Sequence, residues 1–214
     1  MLIKHTLTTK PHIKNPTPYD MHKIIMRNIN NTQPLTPHEP RKDAAILWSH
    51  ITDDIITIQH NNEVSLSLKD FHPIHQEEIH PATQPETLRL IGKVSRLYNP
   101  YIPLTQEERD IIAALGYNTS HIPQGTRKIP IPETDLHRVM ENKLHQRNLQ
   151  VLDLSCTISP DLHIKNSSKK VPTCMLMTTV AGSAEDINNL ITQGFGKAKN
   201  YGLGLLHIKE RKSQ

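Results

Sequence analysis

Tyr19 and His22 stand three residues apart in the segment Thr17-Pro18-Tyr19-Asp20-Met21-His22. In a helix that spacing puts both side chains on one face, near the preceding loop. An imidazole titrates near neutrality and can act as general acid or base, while a nearby phenol can donate a hydrogen bond or position a substrate oxygen. The plainer reading is a surface histidine, one of 14 in the chain. A second candidate is Gly194–Leu206 (GFGKAKNYGLGLL), which holds four of the eight glycines: Gly194, Gly196, Gly202 and Gly204. Closely spaced glycines let an extended anionic backbone approach main-chain N–H groups, and Lys197 and Lys199 add charge. The glycines of dinucleotide and triphosphate sites lie between a strand and the following helix. Here the expected order is helix, loop, strand, which argues against such a site and leaves RNA or phosphate as the ligand. The alternative is a helix C-cap at Gly194 followed by an irregular turn.

Lys165, Lys169 and Lys170 fall in Pro160–Lys170 (PDLHIKNSSKK), whose Asn-Ser-Ser centre between two strand-like runs reads as a basic hairpin tip. Such a tip can follow a nucleic-acid groove; its bland counterpart is a solvated turn. Other chemistry is disfavoured. His72, His75 and His80 are interrupted by Pro73, Pro81 and Pro85, with no carboxylate or cysteine set at a fixed turn, so the segment reads as a solvated linker and no metal site is expected. Ser155, Ser167 and Ser168 lack a nucleophile-elbow context, and Asp53–Asp54 and Glu77–Glu78 are adjacent residues that point apart. Cys156 and Cys174 are too few for a disulfide framework or a four-cysteine zinc site and are expected to be reduced and buried.

The elements that must position these residues read as follows. Met1–Thr9 alternates as a strand, Lys10–Pro18 holds three prolines and forms a loop, and Thr17, Pro18 and Asp20 start a helix over Pro18–Ile29. Ala44–Ile51 and Ile55–His60 form a hairpin. Strand, helix, strand, strand opens a ferredoxin-like βαββαβ unit, whose second half is weak here. Phe71–Pro85 reads as a connector, with a domain junction near Gln84. Beyond it come a strand over Thr87–Tyr98, helices at Thr105–Leu115 and Pro132–Arg147, strands at Val151–Ser159 and Val171–Val180, a helix at Ser183–Gln193 and a strand at Gly202–Ile208. The expected fold is therefore α+β: two tandem ferredoxin-like domains, residues 1–83 and 84–214.

The chain has 214 residues, 36% hydrophobic, and no apolar run approaching a membrane span. Lys4 and His5 interrupt the only place for a secretory signal, so a cytoplasmic location is expected. The formal charge is +4, but its placement is uneven. Residues 1–83 carry 8 Lys and Arg against 9 Asp and Glu, whereas residues 163–214 carry 8 against 3. A basic C-terminal surface points to an anionic partner. With only 8 Phe, Tyr and Trp together, the chain lacks the aromatic run with which RNA-recognition motifs stack bases, which favours duplex over single-strand recognition.

These residues resemble the CRISPR repeat-processing endoribonucleases of Cascade systems, the CasE branch. That family ends in a loop G-φ-G-x-x-K-x-x-G-x-G-L-L, with φ apolar, which Gly194-Phe195-Gly196 through Gly202-Leu203-Gly204-Leu205-Leu206 matches throughout, and it has Y-x-x-H just inside its first helix, where Tyr19 and His22 stand. Ile46–His50, Leu88-Arg89-Leu90 and Arg127–Ile131 match more weakly. The His/Pro-rich Phe71–Pro85 segment and Pro172 depart from the pattern. The resemblance implies two ferredoxin-like domains gripping the stem-loop of CRISPR repeat RNA. It implies a metal- and cofactor-free cleavage in which the ribose 2′-hydroxyl attacks the neighbouring phosphate, leaving a 2′,3′-cyclic phosphate and a 5′-hydroxyl. His22 would move a proton, Tyr19 orient an oxygen, and Lys170, or its neighbour Lys169, stabilise charge. Arg89, Lys165, Lys169, Lys197, Lys199 and the four glycines would bind RNA. Other Cascade subunits would be partners, target DNA would be met only through the complex, and no membrane is involved. The rival expectations are a non-catalytic subunit that holds guide RNA, and a regulatory domain pair without RNA.

Overall fold

The computed structural model describes residues 1–31, 45–52, 54–98, 110, 114, 129–164 and 170–213. Two four-stranded antiparallel sheets follow one another along the chain. The first contains β1 (Leu2–Thr9), β3 (Leu47–His50), β4 (Ile55–Asn61) and β6 (Phe71–Ile79) in the spatial order β3-β4-β1-β6. Helix α1 (Pro18–Asn28) crosses one face. It starts as read: Thr17 caps it, its hydroxyl accepting from the Asp20 N–H while the Asp20 carboxylate accepts from the Thr17 N–H, with Pro18 in the first turn. Met21, Ile24 and Ile25 form its buried stripe and pack on Leu7, Ile56, Ile58, Trp48 and Phe71. Two short strands, β2 (Ile29–Asn31) and β5 (Val64–Leu66), pair beside this layer.

Phe71–Pro85 is the main correction in this half. Phe71–Ile79 is not a connector but strand β6, the sheet's edge, paired with β1 from Thr9 opposite Phe71 to Leu2 opposite Ile79. Pro73 sits at a bulge opposite Leu7, on an edge strand where its missing N–H breaks no ladder bond. Residues 72–78 are exposed, so the strand shows no apolar periodicity. His72, His75 and His80 are exposed too. The position of the unit's second helix is taken by β5 and its flanking turns.

The second sheet has the order β10-β11-β7-β12, formed by β7 (Glu86–Ser95), β10 (Gln150–His163), β11 (Lys170–Gly182) and β12 (His207–Ser213). Here the βαββαβ unit is complete: α2 (Glu133–His145) joins β7 to β10 and α3 (Ala184–Gln193) joins β11 to β12. Both helices cover one sheet face in a core that includes Leu88, Leu90, Val94, Met140, Leu144, Leu176, Val180, Ile187 and Leu190. Ser183 caps α3, its hydroxyl accepting from the Asp186 N–H. A two-stranded ribbon, β8 (Leu97–Tyr98) with β9 (Ile129–Pro130), extends β7. Pro172 lies where the register shifts between Ser159 and Leu162, a bulge that absorbs its missing donor. The architecture is thus α+β with two tandem ferredoxin-like units. The expected helix at Thr105–Leu115 and the hairpin tip with Lys165 and Lys169 fall almost wholly outside the described residues. The last strand begins at His207, not Gly202: Gly204 is at φ 85 and gives its N–H to Lys93 O, which breaks extended geometry. Cys174 is buried and Cys156 half-buried; both are free. Among the described residues no helix is long and apolar enough to cross a membrane.

Candidate functional site

Helix α1 holds Tyr19 and His22 one turn apart. Tyr19 is 44% exposed, with the Lys23 ammonium 4.4 Å from its ring centroid. His22 is half-buried. Three of the other buried or half-buried histidines, His5, His60 and His207, have pKa values lowered below the ordinary imidazole range and are unsuited to proton transfer near neutrality. The His60 Nδ1–H donates to Asn61 O (2.7 Å), leaving its Nε2 to accept from His5 Nε2–H at 3.0 Å. With one proton between the two Nε2 atoms the pair cannot be doubly charged, and burial favours the neutral form of each ring. Burial, then the His60 ring, pushes the His5 pKa down to about 4. Burial, then Lys4 and Lys209, does the same to His207, also to about 4. These three are thereby set apart from His22 among the histidines with which it competes in the sequence.

The glycine-rich segment is folded tightly. Gly194 ends α3 at φ 65, giving its N–H to Leu190 O. The buried Phe195 then gives its N–H to Gly204 O (2.8 Å), and Gly204 gives its own to Lys93 O (2.9 Å), clamping the two ends of the loop together and onto β7. Between them Lys199–Tyr201 form a 3-10 turn, closed by the Gly202 N–H on Lys199 O. The loop wraps the edge strand β3 of the other domain. A Cβ on Gly194 would meet a Leu47 methyl at 2.8 Å on one face of that strand, and a Cβ on Gly202 would meet the Trp48 ring at 2.8 Å on the other. The 3-10 turn packs on α1. Two motifs about 180 residues apart in the chain are thus brought against one another.

The glycines are therefore used first for packing. The N–H groups of Gly194, Gly202 and Gly204 are spent on internal acceptors and are not aimed at a ligand, whereas a Cβ on Gly196 would find nothing nearer than 3.8 Å. Gly196 and Lys197 are both half-buried in the loop. Lys199 Nζ donates to Gln193 O, closing the last turn of α3.

Two basic residues absent from the sequence reading lie near the loop: Arg147, which supports it, and Lys143, which donates to Leu97 O at 3.4 Å. Arg147 donates to Gly194 O at 2.8 Å and lies 5.4 Å from the Phe195 ring. Lys143 has its pKa lowered by burial and then by nearby Lys197. Their four-residue spacing was the available signal. The domains are further fixed by Ser49 Oγ with His207 Nε2 (3.0 Å), by Gln59 Nε2 donating to Ile191 O (2.9 Å), and by Asn188, which both donates to and accepts from the Ala82 backbone.

Lys170 is the first residue of β11, exposed and opposite His163. Strand β11 starts beside the end of β7, where Thr173 faces Ser95, and the loop is tied to Lys93. Lys170 therefore lies at the loop's end of the sheet. Arg89 is exposed on β7, four residues before Lys93 and so about 13 Å along the strand. It donates weakly to Met177 Sδ at 3.9 Å and is not brought to α1. Lys165 and Lys169 lie outside the described residues. Among the described residues, no three His, Cys, Asp or Glu side chains are grouped to hold a metal ion.

No family model and no curated sequence matches the chain. Solved structures do. The CRISPR endoribonuclease Cse3 bound to a 19-nucleotide RNA superimposes with a TM-score of 0.67 at 15% identity, over 98% of this chain and 100% of the other. Thermus thermophilus Cse3, bound to an RNA representing a pre-cleavage complex, gives 0.65 at 15% identity over 98% and 99%. Cas6e from Escherichia coli K-12 gives 0.63 at 15% over 97% and 98%. The resemblance read from Tyr19-x-x-His22 and the glycine loop thus extends through the tertiary structure: over nearly its whole length, this chain has the fold of the CRISPR endoribonuclease Cse3 and of the CRISPR-associated protein Cas6e.

Proposed function

We propose that the chain is an endoribonuclease that binds the stem-loop of CRISPR repeat RNA and cuts the precursor transcript into guide RNAs, remaining bound to its product as a Cascade subunit. The observation that carries this reading is the seating of the Gly194–Leu206 loop, which comes from the basic half of the chain, on the helix that bears Tyr19 and His22. RNA held by one domain then lies beside acid/base groups of the other. Residues 1–83 supply Tyr19 and His22; residues 84–214 supply the grip.

Cleavage by 2′-hydroxyl attack requires removal of a proton from the nucleophile, delivery of one to the departing 5′-oxygen, and stabilisation of a dianionic phosphorane. His22 performs one of the proton transfers, the Tyr19 hydroxyl positions the reacting oxygen, and Lys170 answers the developing charge. The products are a 2′,3′-cyclic phosphate and a 5′-hydroxyl, and no step calls on a metal ion or cofactor. Duplex phosphates are met by Lys197, Lys199, Lys165 and Lys169, with Arg89 farther along the sheet; Gly196 permits close approach, while Gly194, Gly202 and Gly204 shape the loop.

The test is a labelled repeat hairpin in EDTA, with wild type and His22→Ala. Wild type should cut it, and the variant should cut about 10²–10⁴-fold more slowly with nearly unchanged affinity. Binding without cutting by either protein would instead identify a guide-RNA-holding subunit, and absence of binding would reject both readings.

A further inference from the structure

A cleft of about 350 Å³ lies along the flank of α1, lined by His12, Lys14, Asn15, Lys23 and Arg27 together with Asp20. Both carboxylates at this place are already occupied. The Asp20 carboxylate accepts the Thr17 hydroxyl (2.6 Å) and N–H. Asp70, beneath the cleft, accepts from Asn28 (2.6 Å) and Arg27 (3.0 and 3.1 Å) and meets His12 Nε2 at 2.9 Å. Lys14 and Lys23 have no carboxylate partner among the described residues. Both line the cleft, Lys14 from the loop before α1 and Lys23 from the middle of the helix. The cleft is continuous with the candidate site, because Lys23 both lines it and covers the Tyr19 ring.

We propose that this cleft seats phosphates of single-stranded RNA flanking the hairpin, on the strand that leaves the scissile phosphate past Tyr19. The inference rests on the endoribonuclease reading above. A duplex is held by the C-terminal domain, and a flexible strand that continues from it along α1 meets Lys23 first and Lys14 next. Each single-strand phosphate neutralised contributes about 0.7 to the slope of log affinity against log salt, so two contribute about 1.4, or about 25-fold at 0.1 M relative to 1 M salt.

The experiment compares, by fluorescence anisotropy, a trimmed stem-loop with the same stem-loop carrying a short single-stranded extension at either its 5′ or its 3′ end, for wild type and the Lys14→Gln/Lys23→Gln double variant. One extension should tighten wild-type binding by about 25-fold at 0.1 M salt, and the double variant should lose that gain and about 1.4 of salt slope while binding the trimmed stem-loop as wild type does. Equal losses on all the RNAs, or a gain that survives in the variant, would overturn the proposal. So would displacement of the extension by ATP at comparable affinity, which would mark a nucleotide pocket. Stem-loop binding with no gain from either extension removes this inference alone; no binding of any RNA removes the endoribonuclease reading with it.

Discussion

Replacing Gly202 by alanine tests whether the glycine loop works by packing. Gly202 sits at φ 78 and ψ 27, and an added Cβ would stand 2.8, 2.9 and 3.0 Å from three atoms of the Trp48 ring, which is fully buried in the first domain's core. Alanine in the left-handed region costs about 1–2 kcal/mol, and forcing a methyl into a filled contact adds about 1–3 kcal/mol. At roughly 2–4 °C per kcal/mol for a chain of this size, the melting temperature should fall on the order of 10 °C. Gly196→Ala is the internal control. It shares the backbone cost at φ 82, but its Cβ meets nothing closer than 3.8 Å, so its melting temperature should fall by about 4 °C. The assay is thermal unfolding of both variants, together with hairpin cleavage well below either transition. There Gly202→Ala should still cleave slowly, because the 3-10 turn is pushed off α1. Equal shifts for the two variants, or an unshifted Gly202→Ala, would refute the packing argument.

Stability should decline as the pH is lowered from about 6.5 to about 4. His5, His60 and His207 have lowered folded pKa values, so the unfolded chain takes up protons first in that window. A flat urea midpoint between pH 4 and 6.5 would contradict it. Asp70 acts lower. Burial alone would raise its pKa, but hydrogen bonds from Asn28, His12 and Arg27 outweigh that and hold it at about 2. Its contribution of about 2 kcal/mol is complete above the unfolded value near 3.8 and is lost as pH falls through about 2; Asp70→Asn should lose most of it at neutral pH, seen as a lower urea midpoint. Arg147→Met keeps much of the side chain's bulk but leaves Gly194 O without its donor, so hairpin cleavage should drop several-fold more than global stability does; an unchanged rate would show that the loop holds its shape without that clamp. Burial, then Cys174, pushes the Cys156 thiol up to about 12, and burial, partly offset by Lys143 and Arg96, pushes Cys174 up to about 11, so both should resist alkylation at pH 8 until the protein unfolds.

Local rules made much of this protein legible from its residues. Thr17-Pro18-x-Asp20 encodes a helix start whose every bond lies within four residues, and the capping pair Ser183 and Asp186 does the same for α3. Alternation with an inward apolar face marked Glu86–Ser95 as a strand, and alternation with β-branched content marked Leu2–Thr9, whose buried Leu2 and Leu7 belong to different cores. The long glycine match and Tyr19-x-x-His22 marked both parts of the candidate site. Strand β6 was hidden because an edge strand with both faces exposed needs no apolar period, so its histidines and prolines read as a linker. What the glycines are for was also out of reach. Whether Gly202 meets solvent, a phosphate or an indole depends on how β3 presents Trp48, and a one-residue slip of that strand would turn Trp48 to its other face. Likewise the Arg147 clamp and the Ser49–His207 bond join residues 47 and 158 positions apart. Backbone preferences act over a turn, so sequence alone determined most of the elements and named the candidate residues. Register and domain docking act over the whole chain, so only the tertiary structure decided that the two motifs meet, and that most of the loop's glycines serve that meeting.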